Sequence, residues 1–183
     1  MFIRTERLFL RPAWAEDAPA VAAQIGDWDV VRNLARAPWP YTLADAQAFC
    51  SGAVLAARES AFLIFRRSAG DPQMIGAIGF GPVREGRDIE LGYWFGRSHW
   101  GHGYAVEAGS AVLNLAFDGL RHDRLSAGHF VDNPASGKVL RRLGFVPTGE
   151  VIPYPCKARG GDVPSVEYAL TRDAWVQEHR IAA

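Results

Sequence analysis

The sequence predicts a mixed α/β protein built around one central sheet. Helical and strand-like patterns alternate along most of the 183 residues, but three strand-like runs follow one another in the middle of the chain. A doubly wound parallel sheet requires a helix between successive strands, so this order favours a mixed sheet instead. Two halves would each be too small for a substantial core, and we therefore expect a single domain over residues 1–183.

The first part of the chain contains one alternating strand pattern and several helix signals. Leu8 and Leu10 alternate with the residues beside them, which predicts a strand over Arg7–Arg11. Thr42 followed three residues later by Asp45 is typical of a helix N-terminus, because each side chain can bond a backbone N–H of the other residue. The predicted helices of this part are Ala15–Ile25, Trp28–Ala35 (closed by Pro38 and Pro40) and Leu43–Arg58.

Turn residues separate the remaining predicted elements, most clearly at Gly70-Asp71-Pro72 and Glu85-Gly86. The predicted strands are Ala61–Arg67, Met74–Phe80, Asp88–Phe95, Arg124–Phe130, Phe145–Val151 and Pro164–Leu170. The predicted helices are Gly103–Phe117, Pro134–Leu143 and a final helix capped by Thr171. The first three of these strands are the consecutive ones on which the predicted fold class depends.

Charge and composition narrow the function before any motif is considered. The charges of twenty basic and twenty acidic residues cancel, which argues against binding to nucleic acid or to an anionic membrane through a net positive charge. The chain lacks a signal-peptide pattern and any apolar run near the roughly 20 residues that cross a bilayer. Cys50 and Cys156 form no CxxC pair, so neither a disulfide framework nor a thiolate zinc site is expected. We expect a cytoplasmic protein. Because it has no net charge, it must hold any anionic ligand with a local group of hydrogen-bond donors.

A glycine-rich junction, Trp100-Gly101-His102-Gly103-Tyr104-Ala105, joins a predicted strand to a predicted helix. Glycines let backbone N–H groups approach a ligand, and the first turn of a helix offers unpaired N–H donors and partial positive charge. The junction therefore suits a pyrophosphate. A Walker loop would need Gly-Lys-Ser/Thr, which is absent, and a dinucleotide fingerprint would need Gly or Ala where Val106 stands. The alternative is that these glycines only form a tight backbone turn and bind no ligand.

A second pattern follows one strand later, in Asn133-Pro134-Ala135-Ser136 and Leu143-Gly144-Phe145. Asn133 is typical of a helix N-cap, Pro134 of the first helical position and Gly144 of a helix end. Taken alone, Asn133 would be only a cap. The two patterns in this order, joined by one strand, are more specific than either of them alone.

Together with Glu90-Leu91-Gly92-Tyr93-Trp94, the two patterns resemble the cofactor motifs of the GCN5-related N-acetyltransferases. The resemblance is strongest to the branch with the ribosomal-protein alanine N-acetyltransferases (RimJ/RimL-like). In the family pattern Gln/Arg-x-x-Gly-x-Gly/Ala, the matching positions are Trp100, Gly103 and Ala105, and Trp is usual at the first position in this branch. The resemblance covers nearly the whole chain and implies a twisted mixed sheet whose two central strands splay apart. Acetyl-CoA would enter the gap as co-substrate, and no metal is implied.

The resemblance also implies which residues bind the cofactor. The Asn133 side chain would bond the pantetheine arm, Ser136 would lie near the thioester sulfur, and a backbone N–H at Trp94 or Phe95 would polarise the carbonyl. His102 stands where Lys or Arg is common in the family, and a phosphate contact from it would weaken as it loses its proton near neutral pH. The implied cofactor-binding residues are Trp94, Phe95, Trp100, Gly101, His102, Gly103, Tyr104, Ala105, Asn133 and Ser136.

Acetyl transfer to an amine calls for a base and for a donor to the leaving group. Amines are largely protonated at pH 7, so a general base is useful. Glu90 is the candidate base, because apolar Ile89 and Leu91 beside it favour partial burial, which destabilises an ionised carboxyl. The alternative is that Glu90 pairs with an arginine or fixes a loop. Ser136 is the candidate donor to the leaving thiolate, with an ordinary helix-surface serine as the alternative. No covalent acetyl-enzyme is required.

Four other features are weaker candidates. Cys156 lies in a Pro/Gly-rich segment and is predicted to be a loop thiol instead of a nucleophile. His129, at a strand end, could reach the acceptor, but a structural histidine is favoured. His99 and His102 lack the carboxylate or cysteine spacing of a metal site. The segment Trp39-Pro40-Tyr41 either lines an acceptor pocket or belongs to the core.

The sequence therefore predicts an acetyl-CoA-dependent N-acetyltransferase that moves the acetyl group directly to a primary amine in a ternary complex. The acceptor is either a peptide or ribosomal-protein N-terminus, which the narrower resemblance favours, or a small-molecule amine. A different class of function stays open: a non-catalytic acetyl-CoA-binding sensor or interaction domain. A homodimer is implied by the resemblance alone.

Overall fold

A computed structural model describes residues 1–51, 60–82 and 89–180, with side chains up to residue 177. The strands are β1 (Ile3–Arg4), β2 (Leu8–Arg11), β3 (Ser60–Arg66), β4 (Gln73–Pro82), β5 (Ile89–Phe95), β6 (Arg124–Phe130), β7 (Val146–Cys156) and β8 (Gly161–Thr171). The helices are α1 (Ala18–Ile25), α2 (Trp28–Val31), α3 (Leu43–Cys50), α4 (Tyr104–Asn114), α5 (Pro134–Arg142) and α6 (Arg172–Arg180). The predicted turn Glu85-Gly86, residue Asp88 and positions 52–58 of the third predicted helix lie outside the described residues.

The described strands form one eight-stranded sheet in the order β1-β2-β3-β4-β5-β6-β8-β7. Neighbouring strands are antiparallel except for the parallel pair β5 and β6. Within the described residues, β5 and β6 pair at Ile89 with Leu125 and at Glu90 with Ser126, and no further along. Beyond Glu90, β5 stays paired with β4 while β6 pairs with β8. The central strands therefore diverge, which confirms the predicted mixed sheet with splayed central strands.

Helices cover both faces of the sheet because the inner strands are apolar on both sides. In β3, Phe62 and Ile64 pack into one core with residues of α4 and α5. The alternating residues Leu63 and Phe65 pack into a second core with α1 and α3. Trp175 of α6 is buried in the first core. This first core therefore anchors α4 and α5, the two helices whose starts the sequence singled out.

Two predicted helix starts and one predicted helix end are confirmed by their capping contacts. Thr42 Oγ1 accepts a hydrogen bond from the Asp45 N–H at 3.3 Å, and Asp45 Oδ2 accepts one from the Thr42 N–H at 2.8 Å. Asn133 Oδ1 accepts a hydrogen bond from the Ser136 N–H at 3.4 Å, at the start of α5. Gly144 follows the end of α5 with a φ of 86°, the left-handed backbone typical of glycine after a helix.

The second predicted helix, Trp28–Ala35, is wrong in its second half. α2 forms a single turn, and the backbone after it bonds the residues that follow β7 instead of continuing the helix. The Ala35 carbonyl accepts a hydrogen bond from the Lys157 N–H at 2.9 Å, and the Arg32 carbonyl accepts one from Arg159 Nε at 2.8 Å. Tertiary contacts therefore override the local helix preference here.

The last two strands are longer than predicted. β7 reaches Cys156 instead of Val151, and β8 begins at Gly161 instead of Pro164. Prolines interrupt the alternation in both strands, but β7 lies at the sheet edge, where the missing N–H of a proline breaks no ladder bond. The prediction that Cys156 is a loop thiol is wrong, because this residue ends a strand and is buried.

Candidate active site

The divergence of β5 and β6 opens a cavity of about 700 Å³ that is lined by both strands. One end is formed by the glycine-rich junction and the start of α5, and the other by the segment between α1 and α3 together with β7. The wall contains all but one of the predicted site residues: Glu90, Trp94, Phe95, Trp100, Gly101, Gly103, Tyr104, Ala105, Asn133 and Ser136. His102, the exception, is exposed beside them.

The glycine-rich junction forms a tight loop between β5 and α4. Gly101 and Gly103 have φ angles of 79° and 77°, a left-handed backbone that a Cβ would strain. Trp100 folds back so that its Nε1 donates a hydrogen bond to the Phe95 carbonyl at 2.8 Å. α4 begins at Tyr104 on the cavity wall, so the unpaired N–H groups of its first turn lie beside the cavity. The loop therefore offers the backbone donors that a pyrophosphate requires.

A cluster around Glu107 braces the outer side of this loop, and sequence reasoning missed it. Glu107 accepts hydrogen bonds from the Thr5 hydroxyl at 2.5 Å and from the Arg7 N–H at 2.8 Å and Nε at 2.7 Å. Arg7 Nη1 donates to the His102 carbonyl at 3.0 Å. Burial raises the pKa of Glu107, but the hydrogen bonds from Thr5 and Arg7 outweigh it and hold the pKa below its usual value. The one sequence signal was an acidic residue in a first helical turn.

Ser136 at the start of α5 contacts β5 across the gap. Its Oγ lies 2.8 Å from Tyr93 Oη, a distance at which either hydroxyl can donate. Burial raises the pKa of Tyr93 to about 12, although the hydrogen bond with Ser136 acts in the opposite direction. The phenol is therefore neutral at physiological pH. Ser136 is half-buried and lines the cavity wall.

Glu90 and Tyr93 lie on opposite faces of β5. Side chains alternate along a strand, these positions are an odd number of residues apart, and the pairing of β5 with β4 is regular. The Tyr154 hydroxyl donates to the Glu90 carboxylate, at 3.0 Å from Oε1 and 3.1 Å from Oε2. Tyr154 is itself buried in a small apolar cluster with Phe130. A tyrosine 64 positions away, which no local pattern indicates, therefore orients the predicted base.

The peptide groups of Phe95 face the gap. The Gly96 N–H donates to the Ile75 carbonyl on β4 at 2.9 Å, and the peptide groups of successive strand residues point to opposite sides. The N–H and carbonyl of Phe95 therefore point away from β4, whereas those of Trp94 point toward it. Of the two predicted backbone donors, Phe95 is the one whose N–H is turned to the cavity.

Comparisons with known proteins agree with this arrangement. The family profile described as an acetyltransferase (GNAT) domain matches residues 7–146. The chain belongs to the GNAT acetyltransferase family. One GNAT relative, the Bacillus licheniformis protein described as uncharacterized N-acetyltransferase p20, is 30% identical over 171 residues, which cover 92% of this chain and 94% of that protein.

Solved GNAT structures share the fold. An acetyltransferase from Bacillus anthracis superposes with a TM-score of 0.78 at 25% identity, over 94% of this chain and 99% of that one. RimL, a ribosomal L7/L12 alpha-N-protein acetyltransferase in complex with coenzyme A, has a TM-score of 0.76 at 23% identity, over 95% and 99% of the two chains. The family match confirms the predicted class of enzyme, an N-acetyltransferase.

The two histidines that line the GNAT cavity have different surroundings. His129 lines the wall, with Nδ1 2.8 Å from the Phe130 carbonyl and Nε2 3.4 Å from Tyr168 Oη, contacts that agree with a structural role. His99 is buried, and burial followed by nearby positive charge lowers its pKa, so the ring is neutral. Within the described part of the chain, no group of three or more His, Cys, Asp or Glu side chains is arranged to hold a metal ion.

Many apolar side chains line the end of the cavity formed by the segment between α1 and α3. Tyr41 lines this end, whereas Trp39 is 45% exposed and packs edge-on against Trp28. The Cys156 thiol is enclosed behind the wall, 3.5 Å from the Leu34 carbonyl. Other apolar residues of this end are Ile25, Val30, Leu34 and Phe49.

None of the helices in the described ranges is long and apolar enough to cross a bilayer.

Proposed function

We propose that this GNAT protein transfers the acetyl group of acetyl-CoA directly to a primary amine, with both substrates bound at once. One observation carries the proposal: the cavity between β5 and β6 has the Glu90–Tyr154 pair on one face of β5 and the Tyr93–Ser136 pair on the other. A carboxylate suited to accept a proton and a hydroxyl suited to stabilise a leaving sulfur thus flank one gap. A protein that only senses acetyl-CoA needs neither a proton acceptor nor a group that stabilises a leaving sulfur.

The cavity wall fits acetyl-CoA, which supplies an acetyl group on a thioester. The N–H groups of the glycine-rich junction and of the first turn of α4 suit the pyrophosphate. Asn133 uses its Oδ1 to cap α5, which leaves its amide NH₂ to donate to the pantetheine arm. Lys138 and Arg142 also line the cavity and supply positive charge for phosphate groups in an otherwise neutral protein.

Glu90 is proposed to accept the proton of the attacking amine. The reference pKa values of amines, from about 7.7 for a chain terminus to 10.4 for lysine, leave most of them protonated at pH 7. Tyr154 donates to both oxygens of the Glu90 carboxylate and therefore limits its rotation. A carboxylate held in this way is oriented toward the acceptor before the amine arrives.

Two donors are proposed to act on the thioester itself. The Phe95 N–H, which faces away from β4, would bond the acetyl oxygen as negative charge develops on it. The Ser136 hydroxyl would bond the leaving sulfur. A thiol has a pKa of about 8.5, so its thiolate leaves readily and needs a hydrogen bond more than a strong acid. No side chain of this enzyme needs to carry the acetyl group.

The acceptor is proposed to be the N-terminus of a peptide or protein. The narrower sequence resemblance supports this choice, and RimL, whose described activity is on a ribosomal protein, shares the fold. The half-buried apolar wall formed by Leu34, Tyr41 and Phe49 suits a terminal residue with a small or apolar side chain. Glu90 lies beyond that wall and would meet the terminal amine.

The test is thiol release from acetyl-CoA in the presence of a panel of small amines and N-terminal peptides. Cys50 and Cys156 are both buried, so the protein contributes little background to a thiol reagent. We expect release well above the acceptor-free rate with at least one peptide, and mass spectrometry should place the acetyl group on its terminal nitrogen. Tight cofactor binding with no release for any amine would contradict the proposal and favour a binding-only protein.

The same assay tests the two catalytic residues. Glu90→Gln should lower kcat by about 100-fold, and Ser136→Ala by about tenfold, with acetyl-CoA affinity retained in both. Glu150→Gln, which alters an exposed glutamate on β7, is the matched control and should leave kcat unchanged. Loss of acetyl-CoA binding in either catalytic variant would assign that residue to cofactor binding instead.

Three statements from the sequence stay predictions. These are a single catalytic domain over residues 1–183, a cytoplasmic location and a homodimer. Light scattering on the purified protein measures the oligomeric state directly, and limited proteolysis with and without acetyl-CoA tests the domain extent. We expect one protected fragment in the presence of the cofactor, because ligand binding stabilises the folded state as a unit.

A further inference from the structure

The contact between Tyr93 and Ser136 joins the two sides of the gap. Tyr93 lies on β5, where that strand has separated from β6, and Ser136 lies in the first turn of α5, which follows β6. Tyr93 Oη is 2.8 Å from Ser136 Oγ and 3.4 Å from the Ser136 carbonyl oxygen. The shorter contact is the stronger hydrogen bond, so the phenol interacts chiefly with the serine hydroxyl.

The chemistry of the two hydroxyls decides which of them donates. A phenol, with a usual pKa of about 10, is a more acidic and therefore stronger donor than an aliphatic alcohol. Burial raises the pKa of Tyr93 further, so its proton is present throughout the working pH range. The favoured arrangement has Tyr93 O–H donating to Ser136 Oγ. The single proton of the serine hydroxyl is then left for a third group.

We infer that Tyr93 is a positioning residue, which holds the Ser136 hydroxyl with its proton directed into the cavity toward the leaving sulfur. Without this contact, a serine in a first helical turn rotates freely or bonds nearby backbone groups. The inference rests on the proposed acetyl transfer, because it assigns the sulfur of acetyl-CoA to this side of the gap. It adds a residue that neither sequence pattern singled out as functional.

The proton balance requires Tyr93 to keep its proton. The amine that attacks is the neutral form, which has already lost a proton to solvent. In the transfer, its nitrogen forms the C–N bond, the C–S bond breaks with its electron pair on sulfur, and Glu90 takes the one proton that the nitrogen then loses. Net transfer of a proton from this phenol to the thiolate is unfavourable, because the pKa of the buried phenol is raised above its usual value of about 10, whereas that of a thiol is about 8.5. Ser136 and Tyr93 therefore stabilise the thiolate by hydrogen bonding, and the thiolate later takes a proton from solvent.

A kinetic double-mutant cycle tests whether Tyr93 acts through Ser136. Tyr93→Phe removes only the hydroxyl, and we expect kcat to fall by about tenfold with an unchanged KM for acetyl-CoA. In the Ser136→Ala background, Tyr93→Phe should cause no further loss. Tyr168→Phe is the matched control, because its buried hydroxyl bonds Arg141 of α5 at 2.6 Å, whereas Ser136 bonds Tyr93. Its effect should be the same with and without Ser136. Losses from Tyr93→Phe and Ser136→Ala that multiply would overturn the inference.

A binding measurement separates this inference from the proposed function. Coenzyme A and desulfo-coenzyme A are titrated by calorimetry at pH 9.5, where a free thiol is mostly ionised and Tyr93 is still neutral. We expect the wild type to prefer coenzyme A by about tenfold, and Tyr93→Phe and Ser136→Ala to lose that preference. A preference that Tyr93→Phe retains would overturn the inference, even in an active enzyme. Loss of the preference in an enzyme that acetylates no amine would contradict only the proposed function.

Discussion

Arg7 bonds Glu107 through both its backbone and its side chain. The Arg7 N–H donates to Oε1 at 2.8 Å and its Nε donates to Oε2 at 2.7 Å. The same guanidinium reaches the carbonyl of His102 at 3.0 Å and stacks over the Tyr104 ring at 4.9 Å. The residue that precedes β2 is thereby tied to both sides of the glycine-rich loop. Because the loop has no internal side-chain support at its glycines, this brace holds the backbone donors in place.

Arg7→Ala should therefore weaken cofactor binding without affecting the chemical step. The Arg7 N–H still bonds Glu107, but the contacts with the His102 carbonyl and the Tyr104 ring are lost. We expect the KM for acetyl-CoA to rise by roughly fivefold, with kcat within twofold of wild type, as measured by steady-state kinetics. Arg172→Ala is the control, because Arg172 forms a comparable ion pair with exposed Asp123 beyond the cavity wall. A fall in kcat with an unchanged KM would contradict the bracing role.

Gly103 is predicted to be required for the backbone it adopts. Its φ is 77°, and an added Cβ would contact only Arg7 Nη2, at 3.5 Å, so Gly103→Ala meets backbone strain and little steric clash. Gly149 on β7 has a φ of 88° with nothing near its Cβ position. Each alanine should lower the free energy of unfolding by about 1 kcal/mol in denaturant titrations.

The two glycines should differ in their effect on activity. Gly103→Ala displaces donors on the cavity wall and should raise the KM for acetyl-CoA several-fold, whereas Gly149→Ala should leave it unchanged. Because both substitutions carry a similar strain, Gly149→Ala controls for a general loss of stability. Equal KM values in the two variants would mean that the loop backbone does not contribute to cofactor binding.

Features that depend on local chemistry could be predicted from the sequence. The starts of α3 and α5 follow from Thr42 and Asn133, whose side chains bond backbone groups within three residues. The loop at Gly101 and Gly103 follows from the need for a left-handed backbone. The consecutive central strands were enough to exclude a parallel sheet. These contacts join residues that are close in sequence, so a short pattern is enough to predict them.

Features that depend on sheet register could not be predicted. Tyr154 reaches Glu90 only because β7 extends past its prolines. Those prolines interrupt the alternation of apolar and polar residues, so the alternation does not predict where the strand ends. Arg7 meets Glu107 across 100 positions, through the packing of β2 beneath α4. Tyr93 belongs to a motif that is visible in the sequence, but its contact with Ser136 requires β5 and β6 to diverge. In each case the two residues are far apart in sequence and meet only through the packing of the sheet, so a short sequence pattern does not predict the pair.

Tyr154→Phe should slow the chemical step. The variant removes the hydroxyl that donates to both oxygens of the Glu90 carboxylate, so the carboxylate is no longer held in one orientation. We expect kcat at pH 7 to fall by about tenfold in steady-state kinetics. The KM for acetyl-CoA should not change, because Tyr154 lies on the proposed acceptor side. Tyr168→Phe also removes a buried hydroxyl and should leave kcat within about twofold of wild type; a loss of equal size there would contradict the assignment.

Asp17 and Arg11 form a bidentate pair that should govern stability in acid. Both oxygen–nitrogen distances are 2.7 Å, the two side chains are about 10% exposed, and the Trp14 N–H also donates to Asp17 at 2.7 Å. Burial raises the pKa of Asp17, but the hydrogen bonds from Arg11 and Trp14 and the charge of Arg11 outweigh it, so the net pKa lies below 3.8. A lowered pKa contributes stability above pH 3.8, and this contribution is lost as pH falls through the folded-state value.

Asp17→Asn should therefore lower the free energy of unfolding at pH 7 by about 3 kcal/mol, because it leaves the charge of Arg11 largely buried without its counter-ion. The difference from wild type should shrink as pH falls below about 4, because the Asp17 carboxyl of the unfolded chain binds a proton there while the native carboxyl still resists protonation. Denaturant titrations at pH steps from 7 to 3 measure both effects. Asp123→Asn removes an 85% exposed carboxylate from an ion pair and should have little effect at any of these pH values. A difference between Asp17→Asn and wild type that stays constant down to pH 3 would show that packing, and not the ion pair, accounts for the loss.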